Sequence, residues 1–114
     1  MLKPASLRAH LTAAVPSLAT NPHNLIVVAR GGHTHTMGTG TLSFEYAYTL
    51  QVIVLDYAGH ADAIVVPVLA WIARNQPELF DNPERTKQAL RFDVEYLTAH
   101  TIDLALEIDL TERV

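Results

Sequence analysis

The chain has 114 residues, enough for one core and too few for a two-domain enzyme. Nearly half are hydrophobic, which excludes a disordered chain, and a net charge of −4 gives no electrostatic reason to expect a phosphate-backbone ligand. The absence of cysteine excludes disulfides and thiolate metal sites.

A helix is expected to open at Pro4, because proline suits a first helical turn. Leu7, Leu11, Ala14, Val15 and Leu18 make one apolar stripe along it. Lys3, Arg8 and His10 are interleaved with that stripe, so it reads as an amphipathic helix of a cytoplasmic protein and not as a leader peptide. Pro16 disturbs the last turn and Thr20-Asn21-Pro22 ends it. Leu25 to Ala29 is short and rich in β-branched residues, which predicts a strand, and Gly31 to Thr41 reads as a loop by composition.

Strict alternation begins at Leu42. Leu42, Phe44, Tyr46, Tyr48, Leu50, Val52 and Val54 share one face of an extended segment. The other face is polar until it turns apolar at Ile53 and Leu55. A strand this long exceeds the usual 5–6 residues or so, which implies a bend or bulge and a near end that projects from the domain. After a turn at Ala58-Gly59-His60, Asp62 is the expected N-cap of a second helix. Apolar side chains including Ile64, Val68, Trp71 and Ile72 surround that helix, so it is expected to be deeply buried. Its apolar run falls well short of the ~20 residues of a membrane span. Asn75-Gln76-Pro77 stops it, and a loop with Leu79 and Phe80 leads to Pro83. Two alternating strands, Leu90 to Tyr96 and Ile102 to Leu110, then form a hairpin across Thr98-Ala99-His100.

The order α-β-β-α-β-β predicts one α+β domain over residues 1–114. It is a two-layer sandwich with a mainly antiparallel four-stranded sheet and two helices on one face. The chemistry-bearing patterns are thin. His33 and His35 alternate on an extended segment and could share a metal with His60 or His100 as third ligand. No His-Glu-x-x-His helix is present, and two solvated histidines are the simpler reading. The glycines of the loop precede a strand with no lysine after them, which excludes a nucleotide cradle. No serine lies in a nucleophile elbow. No catalytic residue and no cofactor are assigned. Glu45, Asp93, Glu95, Asp103, Glu107 and Asp109 collect on the polar faces of three strands. They form either a solvated outer face or an acidic surface past which DNA slides without sticking. Trp71 reads as core; Tyr46 and Tyr48 are core or subunit interface.

Several segments taken together resemble the tail completion protein R family of contractile-tailed temperate phages. They are Met1-Leu2-Lys3-Pro4, Thr20-Asn21-Pro22, Leu42-Ser43-Phe44-Glu45, Ile64 to Trp71, Asn75-Gln76-Pro77 and Leu110-Thr111-Glu112-Arg113. The resemblance implies a non-enzymatic virion protein, assembled in the bacterial cytoplasm, that finishes the head-proximal end of the tail. By analogy with tail terminator proteins it implies a fold of that kind and a ring, a hexamer by expectation, on the tail tube. Its partners would be other copies of itself, the tube protein, and sheath or neck and connector proteins, with DNA passing through and no membrane involved. Phe44, Tyr46, Tyr48, His33, His35 and Met37 are the expected contacts to neighbouring subunits or the tube. Family members often continue past the Leu-Thr-Glu-Arg segment with a proline-rich tail, whereas this sequence stops at Val114. The alternatives are a small metal- or ligand-binding enzyme using His33 and His35, and a chaperone that aids tail joining and then leaves.

Overall fold

The computed structural model describes the chain apart from residues 37, 39 and 41. Helix α1 spans Lys3–Ala14, with proline in its first turn. Val15 is pushed to extended geometry (φ −120°, ψ 104°), the conformation that a following proline imposes. Pro16 then opens a separate helix α2, Pro16–Thr20, so the one helix expected here is two. The apolar stripe survives the break: Leu7, Leu11, Val15 and Leu18 are buried, while Ala14 is exposed.

Strand β1 runs Leu25–Thr36 and β2 runs Phe44–Tyr57. The expected loop from Gly31 onward is therefore mostly strand. Its first two glycines serve a bulge instead: Arg30 pairs with Thr49 and His33 with Ala47, so Gly31 and Gly32 together oppose Tyr48. Gly31 supplies the left-handed φ of 58° that such a bulge favours. A second bulge lies near the other end of β2, where Leu55 and Asp56 oppose Asp103, and Asp56 adopts φ 50° there. Its backbone N–H is held by the Asp103 carboxylate at 2.9 Å.

Helix α3, Asp62–Asn75, buries Ile64, Val68, Trp71 and Ile72 on the sheet, but Val66 and Leu69 face outward. The helix layer is one element thick, so the all-round burial expected of α3 does not occur. Ala61, not Asp62, is its N-cap residue; Asp62 sits in the first turn, where a negative charge suits the helix dipole. Two bonds tie α1 to α3: Trp71 Nε1 donates to Ser6 Oγ at 3.1 Å, and His10 Nε2 lies 3.0 Å from the Pro67 carbonyl oxygen. A 3-10 turn, Pro77–Phe80, leads to a short helix α4, Pro83–Gln88, where a loop was expected. Asn82 caps it by accepting from the Arg85 N–H at 2.8 Å.

Strands β3, Arg91–Tyr96, and β4, Ile102–Arg113, form the hairpin and complete an antiparallel sheet of order β1-β2-β4-β3. Central β4 places Leu104, Leu106, Ile108 and Leu110 under the helices, each worth about 1.5–3 kcal/mol in burial. The helices do not reach across β3. Phe92 and Tyr96, on the same sheet face, stay 65% and 80% exposed, so the apolar face is not fully covered as expected. The molecule measures 56 × 31 × 22 Å, elongated along the sheet.

Candidate functional site

Beyond Tyr48 three strands continue past the helix layer as an arm. Thr34 pairs with Tyr46 and Thr36 with Phe44, while Tyr46 pairs with Glu112 on the other side. The third strand reaches the end of the arm, where the Val114 N–H donates to the Phe44 carbonyl at 2.8 Å. Phe44 and Tyr46 meet edge to face, with ring centroids 4.9 Å apart. Leu42 joins the same end and is 97% exposed. The opposite face carries His33 across from Ala47, and His35 across from Glu45, which in turn faces Arg113. Met37 lies outside the described residues.

His60 and His100 line a small cavity with Tyr96 at the other end of the sheet. Ala47 and Tyr57 lie ten positions apart along β2, roughly 33 Å at strand rise, so neither His60 nor His100 can complete a site with His33 and His35. Among the described residues no group of three or more His, Cys, Asp or Glu side chains could hold a metal ion. No helix among them is long and apolar enough to cross a membrane.

The root of the arm is built by a polar clasp. Tyr48 is 5% exposed, and its hydroxyl donates to Glu112 Oε2 at 2.5 Å. Glu112 Oε1 accepts the backbone N–H groups of Leu2 and Lys3 at 2.6 and 3.3 Å. Burial opposes ionisation of Glu112, but those three donors and the nearby N-terminal charge outweigh it and hold its carboxyl below the ordinary value. Burial pushes the Tyr48 hydroxyl well above its ordinary value, and the bond to Glu112 adds to that shift. Lys3 is lowered by burial, opposed by Glu78, Glu112 and Glu45.

Gln76 is buried (5% exposed) and leaves helical geometry at the end of α3 (φ −144°, ψ 56°), directly before Pro77. Pairing of β3 with β4 begins only at Arg91 and Glu107, so the end of β4 has an unpaired edge. Gln76 Oε1 accepts the Thr111 N–H at 3.2 Å, and Nε2 donates to Thr111 Oγ1 at 3.0 Å. Lys3 Nζ donates to the Thr111 carbonyl at 2.7 Å and to Gln76 Oε1 at 2.5 Å. The edge is thus closed by side chains instead of a strand. Met1 to Pro4, Asn75-Gln76-Pro77 and Leu110 to Arg113, distant in sequence, meet in this one clasp. Nothing local in the sequence signals it; Gln76 reads there as part of a helix stop.

The outer sheet face is less uniformly acidic than its strand patterns suggest. Arg91 grips Asp109 with both terminal guanidinium nitrogens, at 3.1 and 3.2 Å, and lies 3.8 Å from Glu107. Thr49 donates to Asp109 and Arg30 to Gln51, each at 2.8 Å. Asp93 pairs with Ala105, which pairs with Ile53, which pairs with Ile26, so an apolar band crosses the face. Glu95 sits opposite Asp103, a like-charge pair, while Glu45 stands apart on the arm.

Comparison with known proteins identifies the family of the chain. The family described as P2 phage tail completion protein R (GpR) matches residues 1–114. Tail completion protein R of Escherichia phage P2 is 42% identical over 113 residues, covering 99% of this chain and 73% of that protein. No solved structure matches the chain. The chain belongs to the P2 phage tail completion protein R (GpR) family, whose role is structural and not enzymatic.

Proposed function

We propose that this protein completes the head-proximal end of a phage tail as a closed ring of identical copies, with a tail-terminator-like fold. In that position it stops growth of the tail tube and presents the surface to which the head joins. Its partners are further copies of itself, the tube protein, and sheath or neck and connector proteins, and it stays in the virion. DNA passes through the ring without specific binding, past the acidic edge formed by Asp93, Glu95, Asp103 and Glu107.

The observation that carries this reading is the arm. Its tip carries Leu42, almost fully exposed, next to the half-buried pair Phe44 and Tyr46, of which Tyr46 also packs against the core. His33 and His35 lie on the other face of the arm and contribute further contacts there. A closed ring is the natural product of one repeated head-to-tail interface. The test is a lysate lacking this chain: tails are expected to overrun their length and to fail to join heads. Null tails of normal length that join heads normally would end the proposal. Finding the chain in purified virions separates a resident ring from a chaperone that leaves.

A further inference from the structure

Because α3 stops short of the sheet edge, a groove of about 600 Å³ opens between α3 and β3. Val65 and Leu69 form one wall, Phe80, Leu90 and Phe92 the other, over a floor that includes Leu106. Val66 and Tyr96 extend the exposed apolar surface around it. The arm cannot fill this groove in its own molecule. Phe92 pairs with Leu106, whereas Phe44 bonds to Val114, eight residues further along β4 and about 26 Å away at strand rise. The chain therefore carries two different apolar surfaces at distant places, the groove and the arm tip, where Leu42 is 97% exposed beside the half-buried Phe44 and Tyr46.

We infer that the arm of one copy, through Leu42, Phe44 and Tyr46, seats in the α3–β3 groove of the next copy. This rests on the ring proposed above and names its interface. Covering Phe92 and Tyr96 alone removes roughly 220–360 Å² from water, taking about 150–250 Å² per fully exposed ring and their present exposures. With Val66 and Leu69 the groove side approaches half of the roughly 800 Å² per partner that a specific interface buries. The backbone and the polar rim, which includes Asp62 and Thr86, supply further area. Two unlike patches make the contact heterologous, which is the kind that repeats into a ring when its rotation closes. A pairing of like patches would leave one surface of each copy bare.

The native chain has no cysteine, so single thiols report cleanly. Leu42→Cys and Leu69→Cys proteins, mixed and oxidised as full chains, are expected to give the mixed disulfide as the main dimer. The double variant gives a ladder that ends at the closed ring. Phe92→Asp, a change at an exposed site, is expected to lose at least ten-fold in assembled fraction with its melting temperature almost unchanged. Assembled protein that yields no Leu42→Cys to Leu69→Cys link, or only like-to-like dimers, overturns the interface and leaves the ring standing. The mixed link in open chains that never close supports the interface and removes the ring. A wild-type chain that is monomeric both in solution and in purified tails overturns both.

Discussion

Tyr48 and Glu112, on neighbouring strands, share a hydrogen bond at the point where the sheet leaves the shelter of the helices. Because Glu112 also receives the N–H groups of Leu2 and Lys3, this one carboxylate joins both ends of the chain to the arm. The relationship makes Tyr48 part of the arm's foundation, while Phe44 and Tyr46 further along the same strand face stay half-buried.

Glu112 makes stability depend on pH. Its folded carboxyl is held below the ordinary value of 4.5, so its contribution is fully present above that value and is lost as pH falls through the folded one. Glu112→Gln is expected to cost about 1 kcal/mol at neutral pH, allowing for partial exposure, and to flatten the acid limb of the stability curve. Urea unfolding from pH 7 down to pH 3 measures both. An equal loss at every pH would exclude the carboxylate as the cause.

Gln76→Ala uncovers the edge of β4 and strips Thr111 of partners for its N–H and hydroxyl. A loss of about 1–3 kcal/mol is expected, the usual penalty for stranding buried polar groups. Because an open strand edge templates pairing with other chains, light scattering during refolding should rise as well. A variant as stable and as soluble as the parent would show that the edge needs no cover.

The two sides of α3 should respond differently. Trp71→Ala, at a buried site bonded to Ser6, is expected to cost about 3–5 kcal/mol. Val66→Ser on the outward side should change stability by less than about 0.5 kcal/mol. Thermal melts of the pair decide whether the helix is one-sided; similar losses at both positions would contradict it.

Gly31→Ala isolates the backbone requirement of the bulge. An added Cβ meets nothing within 4 Å, so the expected loss of about 1 kcal/mol comes from the left-handed φ alone. Asparagine, which tolerates that region better, should lose less. Chemical denaturation of the two variants gives the ordering, and an alanine variant with no loss would mean that the bulge relaxes.

Much of the fold is legible in the sequence wherever one local pattern determines the answer. Strand β4 alternates so regularly from Ile102 to Leu110 that its core face can be read directly, and the dense apolar run from Ile64 to Ile72 marks α3 as a helix without telling which side is buried. The first bulge is not legible, because Gly31-Gly32 has the composition of a loop and becomes strand only when β2 lies beside it. Helix α4 carries no apolar period, so only Asn82 at its cap and Pro83 hint at it. The clasp is invisible for a different reason: Lys3, Gln76 and Thr111 meet across most of the chain, and no spacing rule links them. The arm as a projecting aromatic feature could be anticipated from the excess length of its strand, but its third strand and its anchoring could not.

The sheet order also sets a condition on how the protein is made. β4 lies between β2 and β3 and supplies Leu104, Leu106, Ile108 and Leu110 to the deepest part of the core, yet it is the last strand in sequence. A nascent chain that has only reached α3 can form helices and the β1–β2 hairpin, but its apolar faces have no central strand to close on. Folding should therefore wait until residues 102–113 have cleared the ribosome, after which pairing on both sides of β4 proceeds together. Products truncated before that point keep their sheet open and become substrates for proteases, so only complete arms would ever be available for assembly.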